Sequence, residues 1–233
     1  MSNIVEKAVN RIHSLCGAIA VALVLACPAG AAVIHDPAND FLPTYPGAHG
    51  GDLDVTSVHV SFDGANFVLD SVLNGNVGTT PTGFYVWGVN RGAGTSRFGI
   101  ISANGHTYDA SAVLFDSVIT LRPNGASAVN ELVGGVSHPL PASNVSFHDN
   151  ELMAIIPASF LPSKGFTFEQ YGFNLWPRDS AVPAGNAQIS DFAPNNAMFV
   201  ASVVPEPSSL ALFALGGIVA WGGTRRSMHR AAG

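Results

Sequence analysis

Val58-His59-Val60-Ser61-Phe62-Asp63-Gly64-Ala65-Asn66-Phe67-Val68-Leu69-Asp70-Ser71-Val72-Leu73 is the stretch that decides the fold. Residues 58–62 alternate apolar and polar side chains, the period of a strand that buries one face. Asp63-Gly64 supplies a tight turn, and 67–73 resumes the apolar pattern, so the segment predicts a β-hairpin with a short loop. Asn74-Gly75-Asn76 ends it. Working outward, Phe84-Tyr85-Val86-Trp87-Gly88-Val89 is aromatic and β-branched enough for a buried central strand. Residues 113–121 read as another strand, closed by Pro123-Asn124-Gly125. Residues 144–147 and 152–156 flank a His148-Asp149-Asn150 turn, and 167–176 makes a last strand. The single break from this pattern is a turn at 158–161, and no stretch of convincing length has helical period. Short strands with turn signals every 8 to 12 residues or so predict an all-β chain, an antiparallel β-sandwich of jelly-roll type, with a barrel as the alternative.

Both ends of the chain depart from this pattern. Lys7 and Arg11 precede an apolar stretch at 15–26, and Ala29-Gly30-Ala31 follows as a small-residue cleavage site, so residues 1–31 read as a secretory signal peptide. Ala29 and Ala31 place the cut after Ala31, and a cut one residue later also fits. The apolar run is shorter than the roughly 20 residues that span a bilayer. Cys16 and Cys27 both lie inside the removed segment, which leaves the mature chain without a thiol for a disulfide, a nucleophile or a metal. Val24-Leu25-Ala26-Cys27 loosely resembles a bacterial lipobox, a reading that the cut after Ala31 would abolish.

At the other end stands Val204-Pro205-Glu206-Pro207, then an uncharged apolar run at 208–223, then Arg225, Arg226 and Arg230. As a helix the run covers about 24 Å, marginal against a hydrocarbon core of roughly 30 Å, so it predicts one short transmembrane helix. Trp221 suits the interface, and the arginines place the tail in the cytoplasm and the body outside. Pro205 and Pro207 fix φ and hold Val204 and Glu206 extended, a stiff strand that a protease groove can read. This order of Pro-Glu-Pro, apolar segment and arginines resembles the PEP-CTERM sorting signal of Gram-negative bacteria. The resemblance implies that residues 204–230 direct the chain to an exosortase, a membrane protease that processes its substrates near Pro-Glu-Pro. It also implies association with exopolysaccharide.

Residues 32–203 remain as one domain, long enough to bury a hydrophobic core. They hold fourteen Asp and Glu against five Lys and Arg, a net charge of −9 where the full chain has −6. Nucleic acid is excluded as a partner, because phosphate binding needs clustered cations. The body carries no G-x-S-x-G, no H-E-x-x-H and no phosphate-binding glycine loop, and its carboxylates sit in no recognisable glycosidase context. We therefore expect no enzyme. Asn90-Arg91-Gly92-Ala93-Gly94 follows a strand without opening a helix and reads as a mobile loop.

Two groups of residues carry candidate chemistry. Asp36, Asp40, Asp52 and Asp54 flank a Pro- and Gly-rich loop and could supply hard oxygen ligands to calcium, against the simpler reading of solvated turn carboxylates. Tyr85, Trp87, Tyr171 and Trp176 could stack on sugar rings, against the commoner fate of strand aromatics in a core. Within its strand, Tyr85 and Trp87 share one face, and Phe84 and Val86 the other.

Gly51-Asp52-Leu53-Asp54-Val55, Tyr85-Val86-Trp87-Gly88-Val89, Ile156-Pro157-Ala158-Ser159-Phe160-Leu161 and Phe173-Asn174-Leu175-Trp176-Pro177 resemble, in their order, CBM9-like and DOMON-like sandwiches. That resemblance implies a ligand-binding module. The leading expectation is an exported, non-enzymatic structural or adhesive component of the envelope or exopolysaccharide matrix, held by its C-terminal helix until an exosortase releases it. The alternative is a carbohydrate-binding module with a defined glycan site.

Overall fold

A computed structural model describes residues 32–203. The predicted signal peptide with Ala29 and Ala31, the sorting residues Val204 to Pro207 with Arg225 and Arg226, and the predicted transmembrane helix lie outside the described residues.

The described residues are all-β, as the hairpin pattern predicts, in sheets that are antiparallel except where Ser202–Val203 joins Val55–Phe62. Its strands begin with β1 (Ile34–His35), β2 (Val55–Phe62), β3 (Asn66–Leu73), β4 (Gly83–Asn90) and β5 (Thr95–Ser96). There follow β6 (Ile100–Ala103), β7 (His106–Asp109), β8 (Leu114–Phe115), β9 (Ser117–Leu121), β10 (Ala128–Glu131) and β11 (Ser137–Pro139). The last are β12 (Val145–His148), β13 (Glu151–Pro157), β14 (Gly172–Asp179), β15 (Phe199–Val200) and β16 (Ser202–Val203). The first sheet runs β1-β2-β3-β13-β12, with β16 also on β2, and the second runs β11-β10-β9-β4-β14-β15. The pairs β5–β8 and β6–β7 form two small ribbons.

The hairpin behind this reading is β2–β3, in register from Phe62↔Phe67 to Val55↔Leu73 with one irregularity between Val55 and Ser57. Asp63 closes its turn by accepting the N–H groups of Ala65 and Asn66 at 2.8 and 2.6 Å. Both ends of the domain meet β2 on the edge that β3 leaves open. β1 pairs antiparallel at Ser57 and Val58, and β16 pairs parallel at Ser61 and Phe62. The two terminal strands thereby cover an edge that would otherwise expose unpaired backbone groups.

The inner faces of the two sheets meet in one core. Val58, Val60, Phe67, Leu69, Leu152 and Ile156 from the first sheet pack with Tyr85, Trp87, Ile119, Phe173 and Leu175 from the second. Phe67 reaches across to Tyr171 and Phe173, each with ring centroids 5.4 Å away. The sheets differ on their outer faces. The first alternates like any half-buried sheet, with Asp70, Met153 and Ile155 exposed. The second carries another core on its outer side, where Phe84, Val86 and Trp176 pack under Leu42, Tyr45, Val182, Ile189 and Phe192. That double burial explains why β4 is apolar at nearly every position, whereas β13 alternates.

Gly88 in β4 is the space that admits the Trp176 indole. A Cβ at this position would lie 2.5 Å from two ring carbons of Trp176. A strand glycine ordinarily weakens the strand, so alanine here would be stabilising if space allowed. Because the ring lies in that space, we expect Gly88→Ala to destabilise the domain by about 1–3 kcal/mol, the usual cost of overpacking. Urea unfolding measures this, and equal or greater stability would refute the close fit.

Candidate functional site

Three carboxylates converge beside the entrance to β2. Asp36 directly follows β1, and its N–H donates to the Thr56 carbonyl at 3.0 Å. Asp40 sits past a turn in which Asn39 adopts φ 65°. Asp191 lies on the extended segment that bridges to β14 through Ile189↔Arg178 and Ala193↔Leu175. One carboxylate oxygen from each of the three comes within 4.8 Å of the other two. A fourth acid, Asp54, closes the short 3-10 turn Gly51–Leu53 and is near enough for its charge to act on Asp36.

Backbone and amide donors hold these groups in place. The Val55 N–H donates to Asp191 Oδ2 at 2.9 Å, and the Phe192 N–H to Asp191 Oδ1 at 2.7 Å. Asp54 Oδ2 accepts the Asn39 N–H and the Asn74 side-chain amide, both at 2.8 Å. Asn195 donates its amide to Asp40 Oδ2 at 2.8 Å and accepts the Tyr108 hydroxyl at 2.9 Å. One oxygen each of Asp36, Asp40 and Asp54 is buried without a hydrogen-bond partner. Among the described residues, the ion pairs of the domain lie elsewhere. Burial, and then the charges of Asp40 and Asp54, push the Asp36 carboxyl up to about 7. Burial pushes Asp191 up to about 8 against the pull of the Val55 N–H, with the charges of Asp36 and Asp40 adding to the rise.

The four acids expected to surround the Pro- and Gly-rich loop divide. Asp36 and Asp40 come together and Asp54 stands beside them, but Asp52 turns away. Its two oxygens accept the Thr80 N–H and hydroxyl, each at 2.7 Å, which ties the start of β2 to the loop before β4. Asp52 is therefore a fully bonded structural carboxylate and not part of the cluster. The residue that sequence reasoning missed is Asp191. Its one signal is an acid set between Ile189 and Phe192-Ala193, and its partner Val55 is 136 positions away.

The aromatic group requires a correction. Tyr85, Trp87 and Tyr171 are 0% exposed and Trp176 is 1% exposed. The first three fill the core between the sheets, and Trp176 fills the outer core. None presents a ring face to solvent, because the second sheet is covered on both sides.

The glycine-rich segment at 90–94 is likewise no free loop. The fully buried Arg91 donates Nε to Asp116 Oδ1 at 2.6 Å and Nη1 to Glu131 Oε2 and the Pro162 carbonyl, both at 3.1 Å. The Arg91 and Ala93 N–H groups converge on Asp116 Oδ2 at 2.9 and 3.1 Å. Gly92, at φ 115°, lets the backbone pass against Gly165 and Phe166, where a Cβ would come within 2.7 Å of the Phe166 nitrogen.

The last described strand, β16, ends at Val203. Residues 203–226 match the family model described as the PEP-CTERM protein-sorting motif, so the match begins on the final residue of that strand. A two-sheet β domain joined directly to such a motif defines a class: an exported, envelope-associated protein with a C-terminal anchor. The chain carries a PEP-CTERM sorting motif, which implies exosortase-dependent sorting with exosortase as its processing partner. No curated protein matches the chain. Among the described residues, no helix is long and apolar enough to cross a membrane.

Proposed function

We propose that this protein is a non-enzymatic structural or adhesive component of the cell envelope or exopolysaccharide matrix. The observation that supports the reading is the sorting motif, whose match begins on the last residue of β16, so that processing near it would cut at the edge of the folded body. Cleavage near Val204-Pro205-Glu206-Pro207 would release residues 32–203 with both sheets complete. The low charge density of the chain and its abundant Gly, Ala, Ser and Asn suit an extracellular setting. A glycan site on Tyr85, Trp87, Tyr171 and Trp176 forms no part of this reading, since all four belong to the cores.

The test is the intact mass and location of the protein in the producing cell. The mature form is expected to begin at Ala32 and end near the Pro-Glu-Pro, and to fractionate with envelope or matrix. Glu206→Ala, or deletion of the exosortase, should leave a larger, membrane-retained form. An unchanged mass and an unchanged location would overturn the processing step. Recovery of the wild-type protein in the cytoplasm would overturn the matrix role.

A further inference from the structure

We propose that Asp36, Asp40 and Asp191, with Asp54 beside them, form a calcium site that clamps the start of the domain to the segment before β15. The convergence of acids alone would not establish a ligand. The second observation is that Asp36, only 9% exposed, holds Oδ2 in the interior with no hydrogen-bond partner, and the fully buried Asp54 does the same with Oδ1. A buried, unpaired carboxylate oxygen is costly. Asp36 brings one carboxylate oxygen within 4.8 Å of one from Asp40 and one from Asp191. A divalent cation among these three oxygens would offset their mutual repulsion.

The donors are all hard oxygens, with no histidine or cysteine among them, which disfavours zinc and favours calcium or magnesium. Oxygens within 4.8 Å of one another fit a calcium sphere, in which ligands about 2.4 Å from the ion stand up to roughly 5 Å apart. Magnesium draws its ligands to about 2.1 Å and demands a stricter octahedron. Supporting bonds from Val55, Phe192, Asn39, Asn74 and Asn195 fix the carboxylates from behind, as outer partners do in built metal sites.

The site would act on the fold. Asp36 belongs to the arm that carries β1, Asp54 to the approach to β2, and Asp191 to the chain covering the second sheet. One ion would add a shared tie to three stretches already joined by the hydrogen bonds Asp36–Thr56, Asn39–Asp54 and Val55–Asp191. Sites of this kind in extracellular proteins bind at about 0.1–1 mM, so the clamp would set after export.

The test is thermal unfolding of the purified full chain, stripped with EDTA at pH 7.5 and titrated with CaCl2 alone. A saturable rise in Tm of about 5–10 °C is expected at saturating calcium, with a smaller rise in equimolar MgCl2. Asp36→Asn should weaken calcium binding at least tenfold by calorimetric titration while not lowering Tm in EDTA, because it removes a repelling charge. Asp40→Asn, at a less buried position, gives the same comparison if Asp36→Asn fails to fold. No heat and no Tm change on adding calcium would overturn the site. So would an Asp36→Asn protein whose response to calcium equals that of the wild type. In either case the carboxylates are held together by shared protons.

Discussion

Arg91→Ala should cost the domain about 3–5 kcal/mol and lower its Tm by roughly 10 °C. The guanidinium and Asp116 are both fully buried, and Glu131 is nearly so. Removing the cation leaves Asp116 in the interior with no counter-charge and Glu131 with only the Lys164 ammonium, at 3.5 Å. The loss extends beyond the ion pairs. Arg91 also caps the Pro162 carbonyl, and its partner Asp116 organises the N–H groups of Arg91 and Ala93. Arg91→Lys should recover part of the stability, because one ammonium cannot reproduce the fork that bridges Asp116 and Glu131. Urea unfolding of both variants checks the ordering. A change below about 1 kcal/mol for Arg91→Ala would show that these contacts do not support the fold as described.

Trp87→Ala is the second large effect, at about 3–5 kcal/mol. Trp87 stands at the centre of β4, opposite Leu175 of β14 and Ile119 of β9, and its ring meets Phe199 edge-on at 6.4 Å. Truncation would open a void in the core between the two sheets, far from solvent. The outcome separates a core role from a sugar-stacking role. A core tryptophan lowers Tm and leaves the binding of the remaining folded fraction to polysaccharide unchanged. A stacking tryptophan does the reverse, and a variant with native Tm and weakened glycan binding would contradict the burial described above.

The two hairpins were legible because their signals are local. The β2–β3 pair falls within a few residues of the alternating runs, with Asp63 in the turn that Asp63-Gly64 predicts. β12 and β13 flank the His148-Asp149-Asn150 turn, where Asp149 takes φ 51°. The expected strand at 113–121 divides into β8 and β9 at Asp116, which the Arg91 contact turns inward. That division depends on a residue 25 positions away and has no local signal. Strands of two to four residues, such as β5, β10 and β15, are too short for alternation to register.

The cover over the second sheet was hidden for a related reason. Leu42, Tyr45 and Phe192 sit in irregular segments, where no periodicity says which face they bury. The run at 84–89 hinted at it by being apolar on both faces, and without the cover its aromatics could equally have formed a binding surface. The carboxylate cluster was half visible for the same reason. Asp36, Asp40 and Asp54 are near in sequence, whereas Asp191 is brought to them by the fold of that covering segment.

Because β1 meets β2 at Ser57 and Val58 and β16 meets it at Ser61 and Phe62, the chain enters and leaves this body along one strand. The nearest of those positions are three residues apart, about 10 Å. A body whose two ends emerge side by side is a cassette. A leader can be trimmed from one end and a retention signal from the other without altering a single layer of what lies between. The same body could be carried by a different pair of addresses, or spliced into an exposed loop of another protein, with its sheets unchanged.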